Sequence, residues 1–357
     1  MFSFYVIVLL VLWGMHAIVG AWLGVCFPAV TARMSVGYFP FLGALVCAVG
    51  MWYSRLNYGV LGQIVYYVSY IWFGLIFLAF CLCGACWMVR GGLQLMRLPY
   101  RWMSIASLVM LLLVFVMAFW GGFSAPKVKR IAVQIPGMPK MKIALLSDSH
   151  LGMGVSVNRF DKAMTRLEAE KPDVIFAVGD IFEYGPNRGK YAARIKAANS
   201  PMGIYGVLGN HEYYVGYGDS KDFFREAHID LLENSATVLP NGVQVAGLKD
   251  IRTAGVTAQD VAQVLQELDK EKPTVLLSHT PDYAEVAAQN GANLMLSGHT
   301  HNGQLWPFNY LVRLQFPRVY GLFDVEGMKF YITSGLFYWG IPLRFLAPAE
   351  IPIIEVN

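Results

Sequence analysis

Acidic residues are missing from the first third of this chain. Residues 1–126 contain no Asp and no Glu, and only five basic residues, Arg33, Arg55, Arg90, Arg97 and Arg101. A soluble surface carries far more charge, so this part is not a water-facing globule. Cysteine is missing from the remainder. All five cysteines (Cys26, Cys47, Cys81, Cys83, Cys86) precede residue 127, which excludes a disulfide framework or a cysteine-rich zinc site beyond it. The charge follows Pro126, where all 24 acids and 23 of the 28 basic residues lie. With 56% hydrophobic and 15% charged residues in 357, disorder, a collagen repeat and a small disulfide scaffold are also excluded. The chain reads as a membrane part joined to a soluble part.

Four apolar stretches fill the acid-free part, roughly at 2–27, 37–53, 58–89 and 102–123. A helix needs about 20 apolar residues to cross the hydrocarbon core. The second stretch has 17 residues and includes Pro40, so it is either a short span or a re-entrant segment. Four spans are expected, three being the alternative. No Lys or Arg precedes the first stretch, which argues against a cleaved signal peptide. Arg33 in the first loop, and Arg90, Arg97 and Arg101 in the third, place those loops on the cytoplasmic side. The expectation is then a multi-pass protein of a bacterial inner membrane with its soluble part on the periplasmic side. Lys127, Lys129 and Arg130 after the last stretch pull the other way. Cys81, Cys83 and Cys86 read as small apolar residues of a membrane helix. His16, with no acid to pair with, reads as a hydrogen-bonded packing residue. No polar pathway is visible, so an anchor is expected and not a transporter.

Residues 1–123 are the membrane domain, 124–140, with three prolines, a linker, and 141–357 the soluble domain. In the last, apolar β-type runs alternate with helical patterns. Strands are expected at 141–146, 174–178, 204–208, 243–247, 274–277, 294–296, 329–333 and 351–356. Helices are expected at 159–170, 191–198, 220–227, 257–269 and 283–289. Such alternation makes an α/β layered domain.

Five of the strand runs end in polar clusters. These are Asp148-Ser149-His150, Gly179-Asp180, Gly209-Asn210-His211-Glu212, Ser278-His279 and Gly298-His299-Thr300-His301. Ligand sites of open α/β sheets form beyond the carboxyl ends of strands, so strands sharing one sheet would gather all five at one edge. In Asp148-x-His150 and His299-x-His301, extended backbone would point both partners to the same side. The glycines at 179, 209 and 298 permit sharp turns. Five of seven histidines lie in these clusters, joined by oxygens of Asp148, Asp180 and Asn210. A nitrogen and oxygen set without sulfur suits Mn, Fe or Zn, and it holds more ligands than one ion needs; two divalent ions are implied. Any one cluster alone is commonly a solvated turn or a core histidine. Five in order, each after a buried-type strand, are poorly explained by chance.

This order resembles the calcineurin-like metallophosphoesterase superfamily, whose pattern is D-x-H, G-D-x-x-[D/E/R], G-N-H-[E/D], H and G-H-x-H, over about residues 141–357. The wording at Asp148–Gly152, at Gly298–Gln304 and at Ala349-Glu350-Ile351 is similar to the membrane-associated YaeI/YkuE-like phosphodiesterase branch, and to UDP-2,3-diacylglucosamine hydrolases. Asn302 and Ala349 depart from it, standing where Gly and Pro are usual. The resemblance implies a four-layer αββα sandwich that hydrolyses phosphoric esters. It implies a first metal on Asp148, His150, Asp180 and His301, with Asp180 bridging to a second held by Asn210, His279 and His299. His211 would be the catalytic residue on the leaving-group side. Glu183 and Glu212 would either orient ligand histidines or be surface acids.

The expected protein is a membrane-anchored dinuclear phosphoesterase cleaving a phosphodiester or pyrophosphate bond in a lipid-linked substrate. A nucleotide or general phosphomonoester phosphatase, and a non-catalytic metal-binding sensor, are the alternatives. Membrane lipids are expected partners; nucleic acid is not. Residues 305–345 hold 12 aromatics. Among them Trp306, Phe308, Tyr310, Phe316 and Trp339 either rim the metals and face lipid or are buried by the late strands. Arg313 and Arg318 either meet phosphate or are ordinary solvated charges.

Overall fold

The computed structural model describes residues 2–31 and 38–357. They form two compact units, residues 1–123 with 340–345, and residues 124–339 with 346–357.

The helical unit contains α1 (Phe2–Cys26), α2 (Pro28–Thr31), α3 (Tyr38–Leu56), α4 (Val60–Leu95) and α5 (Met103–Phe123). All but α2 are long and apolar enough to cross a membrane. The doubtful second stretch is therefore a 19-residue helix, and Pro40 falls in its first turn, where a missing N–H is tolerated. The 36 residues of α4 extend about 54 Å at 1.5 Å per residue, well beyond the hydrocarbon core. Arg90 consequently lies inside α4 and not in the expected loop, its guanidinium over the rings of Trp87 and Tyr100 at 5.3 and 5.1 Å. Arg33 lies outside the described residues.

Small residues let these helices close. A Cβ on Gly43 would collide with the His16 ring, and one on Gly50 with Ser69. Buried His16 donates from Nδ1 to the Leu12 carbonyl at 2.7 Å and accepts the Trp72 indole N–H at 2.9 Å; it is a packing residue. No group of metal-ligand type among the described residues includes a cysteine. The returning segment 340–345 is seated against Gly74, Gly121 and Gly122, none of which has room for a Cβ beside it. The Arg344 N–H donates to the Ala118 carbonyl at 3.0 Å, and the Tyr66 hydroxyl to that of Gly340 at 2.6 Å.

The second unit has twelve strands: β1 (Lys127–Val133), β2 (Met141–Leu146), β3 (Val174–Val178), β4 (Ile204–Val207), β5 (Asp230–Leu231), β6 (Ser235–Val238), β7 (Gln244–Gly247), β8 (Thr274–Leu277), β9 (Leu294–Ser297), β10 (Gly321–Val325), β11 (Met328–Ile332) and β12 (Glu350–Val356). They form two six-stranded sheets, in the orders β1-β12-β2-β3-β4-β5 and β10-β11-β9-β8-β7-β6. Ile143, Phe176 and Val207 of the first sheet pack with Val245, Leu277 and Tyr331 of the second. Helices α6 (Val157–Ala169), α7 (Arg188–Lys196) and α9 (Tyr217–Glu226) cover the outer face of the first sheet, beyond the short α8 (Asn210–Val215). Helices α10 (Ala258–Gln266) and α11 (Ala284–Gln289) cover the second. Three apolar layers thus separate four structural ones, αββα.

Two expectations need correction. Residues 127–133, read as linker, form β1 and pair in parallel with β12. Ile131 and Val133 are buried while Lys127 and Arg130 are exposed, so the strand alternates as an edge strand does. The five motif strands also do not share one sheet. Adjacent β2, β3 and β4 lie in the first, adjacent β8 and β9 in the second.

Glu350 closes the unit from inside. Its buried carboxylate accepts the hydroxyls of Tyr320, Tyr331 and Thr333 at 2.7, 2.7 and 2.9 Å and the Ser334 N–H at 3.2 Å. Glu350→Ala leaves these donors without their acceptor and should cost about 3 kcal/mol or more. Chemical denaturation should show Glu350→Gln, which keeps an acceptor, losing less; equal stability of both variants and the parent would refute this role.

Candidate metal centre

The carboxyl ends of β2, β3 and β4 and of β8 and β9 meet where the two stacked sheets face one another. Backbone bonds lace the loops together: Asp148 N–H donates to Gly179 O at 3.1 Å, and His150 N–H to Asp180 O at 3.0 Å. The ligand-bearing residues are not extended, contrary to the pleat-based expectation. Asp148, His150, Asp180, His299 and His301 have φ of 51°, 41°, 51°, 71° and 48°. Left-handed backbone at five such side chains is strain that the surrounding structure must hold, and it turns the side chains inward. Gly179 shares that conformation at φ 72°, and a Cβ there would meet His279. Gly298 is needed for space alone, since a Cβ would strike Asp148 and Ser147. Asn302, at φ 51°, adopts a conformation that asparagine tolerates, so the departure from Gly leaves the loop intact.

All seven expected ligands come together. Asp148, His150 and His301 offer ligand atoms within 4.8 Å of one another, as do Asp180, His279 and His299. Asn210 joins the second set, its Oδ1 2.9 Å from His299 Nδ1. Asp180 Oδ2 lies between the sets, 3.2 Å from His279 Nε2 and 3.8 Å from His150 Nε2.

Whether cations suit this cluster follows from the imidazole tautomers. His279 Nδ1 lies 2.9 Å from the Val178 carbonyl, which only accepts, so Nδ1 carries a proton. Nε2 then faces the Asp180 carboxylate and needs positive charge of its own. Burial opposes a proton there, but Asp180 outweighs burial and holds the ring's pKa well above its ordinary value. A metal ion would take the same place. His150 repeats the arrangement: Nδ1 lies 2.7 Å from Glu183 Oε1, and Nε2 only 2.9 Å from His301 Nε2. Each of these buried nitrogens needs a proton or a metal ion beside it, and four imidazole and carboxylate groups converging within hydrogen-bond distance make room for the second. The donor set fits two divalent cations. Burial and neighbouring His279 push His299 down to about 4, holding it as the neutral imidazole that binds metal. Burial opposes charge on Asp180, but His279, His211 and His150 outweigh it and hold the carboxyl well below its ordinary range.

His211 lies against the first set, its ring 4.8 Å from that of His150, and with His150 and Glu183 it makes a third group of metal-ligand type. Its Nδ1 lies 2.9 Å from Glu183 Oε1, so one carboxylate holds both His211 and the ligand His150. Burial would lower the His211 pKa; the Asp180 and Glu183 carboxylates overcome it and push it up to about 9. The same two histidines bring Glu183 down to about 2 against its burial. Glu212 is neither a surface acid nor an orienter of a histidine. Its fully buried carboxylate accepts the backbone N–H groups of Asp180, Ile181, Phe182 and Gly209 at 2.7–3.1 Å, pinning the loops that carry Asp180 and Asn210. Ser147, unmarked in the sequence, donates to Asp148 Oδ2 at 2.6 Å. His228 is exposed and far along the chain from every cluster.

The aromatic segment divides. Phe316 is buried, its ring 5.2 Å from His299. Trp306, Phe308, Tyr310 and Trp339 are exposed, and Trp339 stands 5.4 Å from His211. The late strands therefore do not bury these four. Arg318 pairs with Glu285 at 2.7 Å.

Residues 141–303 match the calcineurin-like phosphoesterase family. An uncharacterized metallophosphoesterase of Aquifex aeolicus is 34% identical over 65% of this chain and 92% of its own length. The chain belongs to the calcineurin-like phosphoesterase family. An uncharacterized metallophosphoesterase of Campylobacter jejuni is 38% identical over 65% of the chain, which spans 63% of that relative's length. A transmembrane protein with metallophosphoesterase domain from Danio rerio is 31% identical over 70% of this chain and 62% of its own length.

Because Asp180 touches both sets, Asp180→Ala should reduce bound divalent metal at both positions, whereas His301→Ala should spare the set around His279. Elemental analysis of purified protein measures this; two ions retained in Asp180→Ala would refute the assignment.

Proposed function

We propose that this chain is a membrane-anchored phosphoesterase that uses two divalent cations to hydrolyse a phosphodiester or pyrophosphate bond in a lipid-linked substrate. The observation that carries the chemistry is the pairing of the two ligand sets with His211. The apolar helices α1, α3, α4 and α5 support a lipid-linked substrate, because an enzyme fixed to a bilayer meets what the bilayer holds.

Asp148, His150, Asp180 and His301 would hold one cation, and Asp180, Asn210, His279 and His299 the other. Such ions, when bound, neutralise phosphate oxygens and acidify a water. The protein does the rest. Glu183 fixes His211 through Nδ1, which leaves Nε2 as the nitrogen that holds and releases a proton. With its pKa raised, His211 stays protonated at neutral pH and delivers that proton to the departing oxygen. Glu183 keeps His150 and His211 in mutual register, so the acid and the metal position move together.

Replacing His211 with Ala should lower kcat on a soluble aryl phosphodiester by about 100-fold or more, with bound metal unchanged. A group held protonated loses activity as pH rises, so the wild-type profile should fall on its alkaline side. Bound cations repel a proton, placing that fall at or below about pH 9. Glu183→Gln removes the charge that raises His211 and should move the fall to lower pH. An alkaline limb unaltered in both variants would remove His211 from the mechanism.

The orientation proposed is periplasmic. Lys190, exposed in the first turn of α7 and not in a loop as its sequence suggests, is a site for one added thiol in a unit that has none. In intact cells Lys190→Cys should react with a membrane-impermeant maleimide, with the parent chain as background. Labelling only after lysis would place the site in the cytoplasm.

A further inference from the structure

One helix of the sandwich unit has no buried residue. It is α12 (Phe308–Gln315), the element after α11 and the His301–Gly303 turn. Phe308, Tyr310, Leu311 and Leu314 are exposed, Leu314 at 84%, and Trp306 just before it is exposed as well. Every other helix of eight or more residues in this unit buries an apolar face. Contiguous apolar exposure on a short helix marks a surface that meets something other than water.

The helix is tied to the metal centre at both ends. At its start, Gly303 lies so close to the Asn309 backbone that a Cβ would collide with it, and Gly303 is two residues from His301. At its end, Phe316 packs on His299. Gln304 joins it to the remaining exposed aromatic: its side chain donates to the Trp339 carbonyl at 3.1 Å and accepts the Trp339 N–H at 2.8 Å. Trp339 is beside His211, and the next residue, Gly340, belongs to the helical unit. Charge in this segment has one sign. Residues 286–323 contain no acid, and Arg313 lies 6.0 Å from the Tyr310 ring.

We infer that Trp306 and α12 lie in the headgroup region of a lipid bilayer and present membrane-resident phosphoesters to the metal centre. Tryptophan and tyrosine favour that boundary, leucine reaches below it, and a basic residue without neighbouring acids suits lipid phosphates. A second copy of the chain fits poorly as the occupant. Eight residues at 1.5 Å each give a face of about 12 by 10 Å, far short of the roughly 800 Å² per partner of a stable dimer. Presentation of substrate rests on the phosphoesterase reading; the membrane contact does not.

The test uses the full chain with its five cysteines replaced, reconstituted into vesicles of phosphatidylcholine and phosphatidylglycerol. An environment-sensitive fluorophore is attached at Leu311→Cys or Leu314→Cys, with Lys190→Cys as the water-facing control. Blue-shifted emission, quenched by spin-labelled lipid at 311 and 314 but not at 190, is the expected result. Water-like emission at 311 and 314 overturns the proposal, and so does shielded emission that lipid fails to quench, which would mean a protein cover. The double variant Leu311→Glu, Leu314→Glu should raise KM for a vesicle-borne phospholipid by about tenfold or more, while turnover of a soluble aryl phosphodiester changes less than about twofold. Equal loss on both substrates would make α12 a support of the fold and refute its role in presentation. Labels quenched at 311 and 314, together with a wild type that cleaves the soluble ester but no lipid, would sink the lipid-linked substrate and leave the membrane contact standing.

Discussion

A carboxylate without water around it has to be surrounded by positive charge or hydrogen-bond donors, and Asp180 is the place where this fold meets that demand. It follows β3 of one sheet, yet its oxygens lie against His279 of the other sheet and beside His150 and the His211 N–H. The loop that bears it would spring from its left-handed backbone unless held. Glu212 holds it, at the cost of burying a second carboxylate satisfied by four backbone donors. Much around the site follows from this pair: the glycines that clear space, the imidazole tautomers, and the raised proton affinity of His211.

Sharing Glu183 between His150 and His211 gives the centre a further property. Two imidazoles hinged on one carboxylate cannot drift independently, so in the proposed mechanism the metal position and the proton donor would be set by a single side chain. Exposed Trp339 and Tyr214 stand at 5.4 and 5.3 Å from His211, limiting its approach to solvent on those sides. The centre is rigid underneath and aromatic at its rim.

Much of this was legible in the chain. Strands such as β2, β3 and β8 begin and end where their apolar runs do, because a strand buried on both faces has no polar interruption. The seven candidate ligands were legible for the same reason, as the polar residues that stop those runs, and the structure brings them together. What local pattern does not carry is partnership over distance. Strand β1, with Lys127, Lys129 and Arg130 among its seven residues, looks like linker until Ile353 and Ile354 of β12 are beside it. Sheet membership was equally hidden, since a run that ends in Gly-His says nothing about which sheet it joins. The role of Glu212 rests on backbone donors, which have no letter in a sequence. The aromatics of residues 305–345 were visible, but such a cluster reads the same whether a core or another medium covers it, and α12 was not among the expected helices.

The return of residues 340–345 to the helical unit has a consequence for how the protein can be divided. The chain crosses between its units three times, after Phe123, after Trp339 and after Phe345. A cut at the first crossing therefore does not release an independent cassette. It leaves Ile341, Pro342 and Leu343, with buried Arg344, stripped of the glycines that seat them. Each unit is built from two stretches of chain, so neither can be cut out as one continuous segment.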